Sequence, residues 1–342
     1  MTQGNRISLY LFYLSALVVI VAGLKMAAQA VIILFLSIFI ASILTPLMLG
    51  LQRRGIPRVV AFLFILTLVL VTLFFLATIV ANSFEGFVQN LPLYEEKLRG
   101  VVGGWSRALQ EFGIEIDPNF FAESLDLRSF VALSGRAAGN VTIFLSKALL
   151  VIIGVAFLLF EAPYFHQKLA RIYTGRPEAL KNFELFGHTL QKYFSIKSFT
   201  SMLTGVAVTL ALLAFGIQYA VLWGVLAFLL NFIPVIGSLL AAIPPLLLAL
   251  FYKDLSVVLW LAALYVLINT LVSNVIEPKI MGDGLGLSPA VIFFSLILWG
   301  WVFGTVGMFL AVPLTMTLKI ALDSHPDTRW VGILLSNMGD ES

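Results

Sequence analysis

The sequence predicts an all-α, polytopic integral membrane protein with about eight transmembrane helices, broken or re-entrant helices in the C-terminal half, and an amphipathic helical insert. Three observations carry this expectation. Of 342 residues, 60% are hydrophobic and 11% charged, against roughly 25% charged in soluble domains. The 21 Lys and Arg and 18 Asp and Glu cannot keep a particle of this size wet, because surface area shrinks too slowly with size for so much apolar surface to be hidden. The apolar residues also fall in runs near or above the roughly 20 residues that cross about 30 Å of hydrocarbon.

Residues 7–24 follow Arg6 as one apolar run. Ala28-Gln29-Ala30 resembles a cleavage site, but the run exceeds the usual signal-peptide core of about 7–15 residues and a second apolar stretch follows at once. That second span is 26–51, with Pro46 near its end. A polar joint from Gln52 to Arg58, containing Pro57, leads to a third span at 59–82. Residues 83–140 hold 13 of the charges and so lie in water or at the lipid surface. Within them Phe84, Phe87, Leu91, Tyr94, Leu98, Val101, Trp105, Ala108 and Phe112 recur by threes and fours, an apolar seam of period 3.5. Pro92, Gly100, Gly103 and Gly104 weaken one straight helix. The seam packs either on its own subunit or the lipid surface, or on its counterpart in a neighbouring subunit. Turn chemistry at Asp117-Pro118-Asn119 ends it.

A fourth span is expected at 141–160. Residues 161–195 are polar and basic, with Gly175-Arg176-Pro177 opening an interfacial helix; a fifth span covers 196–217. The apolar stretch 221–252 is too long for one straight crossing and is interrupted at 231–237 and at Pro244-Pro245. A seventh span covers 255–276 and an eighth 290–320, separated by Glu277-Pro278-Lys279 and a glycine-rich stretch. Lys147 and Lys197, near span ends, are expected to snorkel, and Glu161 to lie at the interface. The chain thus divides into transmembrane helices 1–3 (1–82), an extracytoplasmic insert (83–140), helix 4 (141–160), a cytoplasmic interfacial helix (161–195), a C-terminal transmembrane core (196–320) and a cytoplasmic tail (321–342).

Basic residues set the orientation. With the N-terminus inside, 13 of the 21 Lys and Arg face the cytoplasm, while the insert carries eight acidic residues against five basic ones. Both termini are then cytoplasmic. If 221–252 instead dips in and returns, the count drops by one and the C-terminus moves outside.

Several chemistries are excluded. Without cysteine there is no disulfide framework, thiolate metal site or thiol nucleophile. His166, His188 and His325 lack metal-ligand spacing, no Gly-Lys dipeptide allows an ATP-hydrolysing phosphate loop, and Gly282, Gly284 and Gly286 follow no strand that would make them a nucleotide cradle. No cofactor or metal is expected. Basic residues interleaved with aromatics are absent, which argues against nucleic acid. Intramembrane proteolysis fails too, since Asp254 and Asp283 read as loop residues and no His lies in a span. The chain is not an enzyme on this reading.

Two constellations remain. Asn231-Phe232-Ile233-Pro234-Val235-Ile236-Gly237 breaks a helix at membrane depth, because Pro234 lacks a donor and Gly237 permits unusual backbone angles. Such breaks survive only where protein or a water-filled cavity covers them, so this one either faces a polar passenger or is a kink that neighbouring helices satisfy. Asn269, Ser273 and Glu277 share a helical face, with Asn274 and Lys279 beside them. This stripe either lines a polar path or marks the membrane–water boundary through Glu277 and Lys279. Gly300, Gly304 and Gly307 form a stripe for close helix approach or sliding. Pro46 and Pro57 are further packing or hinge candidates.

The order of these breaks and joints resembles the autoinducer-2 exporter family. The matching segments are Thr45-Pro46-Leu47, Arg54-Gly55-Ile56-Pro57-Arg58, Leu222-Trp223-Gly224 through Asn231–Ser238, Ala242-Ile243-Pro244-Pro245, Ile276–Gly282, Gly284–Ser288, Trp299-Gly300-Trp301 and Gly307–Thr315. The likeness spans nearly the full chain, is densest over 190–320, and extends to the insert only in length and amphipathic character. It implies a carrier in the bacterial inner membrane that exports autoinducer-2, a small polar furanone-derived signal, as a cyclic homo-oligomer such as a pentamer. Some members are described as sodium or lithium/proton antiporters, which leaves a monovalent cation or proton as the alternative cargo.

Overall fold

A computed structural model of the chain describes residues 15–337, except 17, 95, 98, 99, 101, 102, 104–109, 111–140, 175, 176, 235, 282–285, 325 and 326. Half of the first apolar run, the seam positions Leu98, Val101, Trp105, Ala108 and Phe112, the Asp117–Asn119 turn, Gly282, Asp283, Gly284 and His325 fall outside them. All regular structure among the described residues is helical, and five helices there are long and apolar enough to cross a membrane. The protein is an all-α polytopic membrane protein.

After a helical stretch at 18–26, α1 (Ala28–Arg53) and α2 (Arg58–Gln89) follow. Pro46 lies inside α1. Gly55, at φ +84°, lies in the joint after α1, and Pro57, at φ −56°, leads into α2. Next come α3 (Val141–Ile172) and α4 (Pro177–Ala214). The expected interfacial helix and the start of the fifth span belong to one continuous helix. No proline follows Pro177 before the end of α4, so the helix continues unbroken for 38 residues. Glu161 pairs with Lys168 on α3, and Lys147 is exposed.

The remaining elements are α5 (Ala220–Leu230), α6 (Ile236–Tyr252), α7 (Leu255–Asn269), a π-helical segment π1 (Thr270–Ile276), α8 (Glu277–Met281), α9 (Pro289–Phe309), α10 (Ala311–Asp323) and α11 (Arg329–Leu335). Pro244 and Pro245 lie inside α6 without interrupting it, contrary to expectation; Pro245 is fully buried in the packing. The chain forms two compact units, one of 1–55, 147–196 and 280–342, the other of 56–146 and 197–279.

In the second unit, 221–252 is a helical hairpin. With 11 and 17 residues, α5 and α6 are about 16 and 25 Å long, short of the roughly 30 Å core, and they pack against each other. Both feet meet the helical extension beyond α2. Asn90 Nδ2 donates to the Tyr219 hydroxyl at the start of α5 at 3.1 Å, while Tyr94 stacks on Phe251 and meets Tyr252 edge-on at the end of α6. The two ends of the segment thus return to one place. Phe87, Leu91 and Tyr94 are buried in one core with Trp223, Ala227 and Ala241, and Phe84 packs against it. At these positions the seam therefore packs on its own chain. Burial, then the Tyr219 hydroxyl, raises the Tyr94 pKa above the ordinary phenol value.

The hairpin tip depends on one glycine. A Cβ at Gly237 would stand 1.8 Å from the Leu230 carbonyl oxygen, so only hydrogen fits where the chain doubles back. Within the tip, Ile233 N–H donates to Leu230 O at 2.8 Å and Gly237 N–H to Ile233 O at 3.2 Å.

In the first unit, 290–320 is not the single span expected from its composition. Gly304 adopts φ 67°, ψ −149°, a conformation essentially restricted to glycine, and α9 and α10 pack on each other. A Cβ at Gly307 would lie 1.9 Å from Trp299 O, and one at Gly300 would lie 2.8 Å from the Met308 side chain. Trp299 Nε1 closes the pair by donating to Thr315 Oγ1 at 2.9 Å. The three glycines thus serve a fold-back within one chain segment instead of a straight small-residue stripe. At the feet, Ser288 N–H donates to Leu335 O at 3.1 Å and the Asp323 carboxylate packs on Gly332, so α11 touches both. Elsewhere in this unit the Ser37 hydroxyl lies 2.7 Å from Ile33 O and 3.2 Å from Val151 O and donates between them, and Phe39 meets Phe194 and Phe309 edge-on.

These contacts rank glycine substitutions. Gly237→Ala and Gly307→Ala should each lose at least about 2 kcal/mol through backbone displacement, whereas Gly23→Ala, which meets nothing within 4 Å, should lose nothing. Thermal unfolding of the three variants in detergent checks the order; equal midpoints would contradict the fold-backs.

Candidate functional site

The site is built on α4. Lys197, Thr200, Ser201 and Thr204 stand at i, i+3, i+4 and i+7, one face of a helix. This face is inside out. The four polar side chains are at most 6% exposed, while Phe199, Met202 and Val206 are more than half exposed. A helix surrounded by lipid turns its apolar residues outward and must give its polar residues partners within the protein.

The partners come from the two constellations singled out in the sequence. Lys197 Nζ donates to both carboxylate oxygens of Glu277 at 3.0 Å. The Thr200 hydroxyl lies 3.1 Å from Glu277 Oε2 and 3.2 Å from Lys197 O, and donates between them. Lys197 therefore does not snorkel. Its ammonium is buried within the protein, and the Glu277 carboxylate compensates for that burial. One turn further along, Asn231 Nδ2 donates to Ser201 Oγ at 3.0 Å, and Thr204 Oγ1 donates to Thr200 O at 3.0 Å. The α4 seam thus holds the helix break at one point and the membrane carboxylate at another.

Beyond Thr204 the seam becomes a backbone contact. A Cβ at Gly205 would be 2.8 Å from Gly224 O, and a Cβ at Gly224 would be 1.8 Å from Thr209 Oγ1. Two facing glycines let α4 and α5 approach this closely, which keeps Asn231 within reach of Ser201.

The other expected residues fall as follows. Pro234 is half-buried in the tip, and Gly237 is buried against Leu230 O. Asn269 and Ser273 are half-buried, and Asn269 Nδ2 donates to Tyr265 O at 3.0 Å. Asn274 and Lys279 are exposed; the partner of Glu277 is Lys197, not its sequence neighbour Lys279. The π-helical turn at 270–276 accommodates a residue more per hydrogen-bonded ring than an α-helix does, and so sets the register in which Glu277 meets α4. Reading the sequence missed Lys197, Thr200, Ser201 and Thr204. The signal was present as four polar residues on a single face of an apolar helix, but Lys197 closes a basic stretch and so looked like the end of a span.

A family model described as AI-2E family transporter matches residues 14–327. The AI-2 transport protein TqsA of Escherichia coli K12 is 34% identical over 332 residues, covering 96% of this chain and 95% of its own length. A Haemophilus influenzae protein named "Putative transport protein" is 38% identical over 344 residues, covering 98% of this chain and 99% of its own.

The ion pair generates a stability test. Lys197→Met and Glu277→Leu alone should each cost about 3–5 kcal/mol, because each strands a buried charge, while the double variant should return close to wild type. A thermal-unfolding cycle in detergent reads this directly; single variants as stable as wild type would mean that the pair is solvated.

Proposed function

Because this chain belongs to the AI-2E family of transporters, we propose that it exports autoinducer-2 from the bacterial cytoplasm by alternating access. The name of TqsA supports the cargo. The single observation that carries the mechanism is the seam on α4, which bonds both the Asn231 break and the Glu277 carboxylate.

The two bonds differ in how easily a solute can replace them. The Asn231–Ser201 bond joins neutral groups, worth about 0.5–1.5 kcal/mol net, so a hydroxyl of the cargo can take either partner's place. Separating Lys197 from Glu277 costs about 3–5 kcal/mol. The seam therefore opens first at Asn231, and the ion pair yields only after it. Asn231, Asn269, Ser273 and Asn274 hydrogen-bond cargo hydroxyls along the path, and Glu277 binds the cargo or relays a proton at its end, with Lys279 at the mouth. Pro234 and Gly237 let the first hairpin tip move, and Gly300, Gly304 and Gly307 do the same for the second; Pro46 and Pro57 serve as hinges outside the hairpins.

The protein resides in the inner membrane with both termini cytoplasmic. Two segments counted as crossings from composition, 221–252 and 290–320, fold back, so the two changes to the count cancel. The family likeness and the remaining amphipathic seam support a cyclic homo-oligomer.

Uptake of autoinducer-2 into inverted vesicles containing the protein tests the function. Asn231→Ala and Asn269→Ala should each reduce initial rates about tenfold, and wild-type rates in both would end the assignment. Sodium- or lithium-dependent proton movement without autoinducer-2, lost in Glu277→Gln, would replace it with cation antiport. For topology, the chain has no cysteine of its own. Gln89→Cys should react with an impermeant thiol reagent on whole cells and Ser324→Cys should not; labelling of Ser324→Cys would place the C-terminal region outside.

A further inference from the structure

Resting on the reading above, we infer that Tyr265 and Asn269 form an uncharged hydrogen-bonding pair that holds the cargo, and that the cargo is bound there as a neutral polyhydroxylated molecule. The two residues stand one turn apart on α7. They lie ten and fourteen positions beyond Leu255, about 15 and 21 Å along a helix, within the middle of a hydrocarbon layer roughly 30 Å thick.

Both carry open hydrogen-bonding capacity. Tyr265 is 3% exposed, and among the described residues its hydroxyl has no partner; neither does Asn269 Oδ1. Flipping the Asn269 amide does not help. Its nitrogen donates to Tyr265 O at 3.0 Å, and the flip would set oxygen against oxygen. Leaving such groups unpaired costs about 1–3 kcal/mol each, and the hydrocarbon around a span offers them nothing. The same unit satisfies its other buried hydroxyls at Thr200, Ser201 and Thr204. Ser198 Oγ is also unpartnered, but rotation about χ1 brings a serine hydroxyl to a carbonyl of its own helix. A phenol at the end of a rigid ring has no such remedy.

The chemistry selects the ligand. A phenol both donates and accepts, and an amide oxygen accepts. Together they match adjacent hydroxyls, one accepting from Tyr265 and the other donating to Asn269. Tyr265 belongs to an apolar core with Leu261, Val208 and Leu212, which suits the carbon face of a small ring. A bare cation needs several oxygen ligands, preferably anionic, yet Glu277 has both carboxylate oxygens on Lys197. The two unpartnered atoms on α7 are themselves uncharged.

Tyr265→Phe removes only the hydroxyl. In nanodiscs the variant should unfold at or above the wild-type midpoint, because it loses an unpaired polar group. The rise in midpoint that autoinducer-2 gives wild type should fall by more than half, and the KM for uptake into inverted vesicles should rise about tenfold. A wild-type KM and midpoint shift in Tyr265→Phe would overturn the inference while leaving export intact. Failure of the variant to fold would also overturn it, since a partnerless hydroxyl cannot be holding the structure. Wild type that neither takes up nor is stabilised by autoinducer-2 would remove the functional reading and this inference together, and a sodium-induced midpoint shift surviving in Tyr265→Phe would contradict the neutral cargo.

Discussion

Hydrocarbon offers no hydrogen bonds, and the structure is organised around that constraint. The face of α4 that carries Lys197, Thr200, Ser201 and Thr204 is where it is met. A lysine and three hydroxyls on a lipid-surrounded helix are affordable only if other elements bring them partners, and those elements are a broken helix end and a carboxylate beyond a π-helical turn. The ion pair adds little net stability over an apolar equivalent. Its effect is to fix which residues meet.

The two hairpins are made with one device. In each, a glycine sits on the carbonyl of a residue seven or eight positions earlier, Gly237 on Leu230 and Gly307 on Trp299. The absent side chain lets the chain turn without leaving a helix end stranded in lipid. Each hairpin has its feet held by a separate helical element, the extension at Asn90 and Tyr94 for one and α11 for the other. Anchored feet and a glycine tip leave the tip as the part free to change its contacts.

The fold class was legible because composition and run length are direct measures of the solvent a chain needs. The breaks were legible too, since Pro234, Gly237 and the glycines after Trp299 are residues whose backbone chemistry is local. What could not be read is pairing across the chain. Glu277 was expected either on a path or at a boundary with Lys279, and only folding brings Lys197 to it from 80 positions away. The π-helical turn leaves no mark in TLVSNVI. Length misled at 290–320, where a run suited to one crossing is bent by the backbone of Gly304, and the polarity change near 195 does not interrupt the helix.

The central claim is that the interrupted main chain at the first hairpin tip adjoins a polar seam that cargo can reach. Hydrogen–deuterium exchange of the protein in nanodiscs, followed by mass spectrometry over 229–238, measures this without any substitution. The account expects amides of 231–237 to exchange at least about tenfold faster than those within α5 and α6, and to slow when autoinducer-2 is added. Exchange at the tip as slow as in the flanking helices, unchanged by autoinducer-2, would mean that the break is sealed in dry packing and would contradict the account.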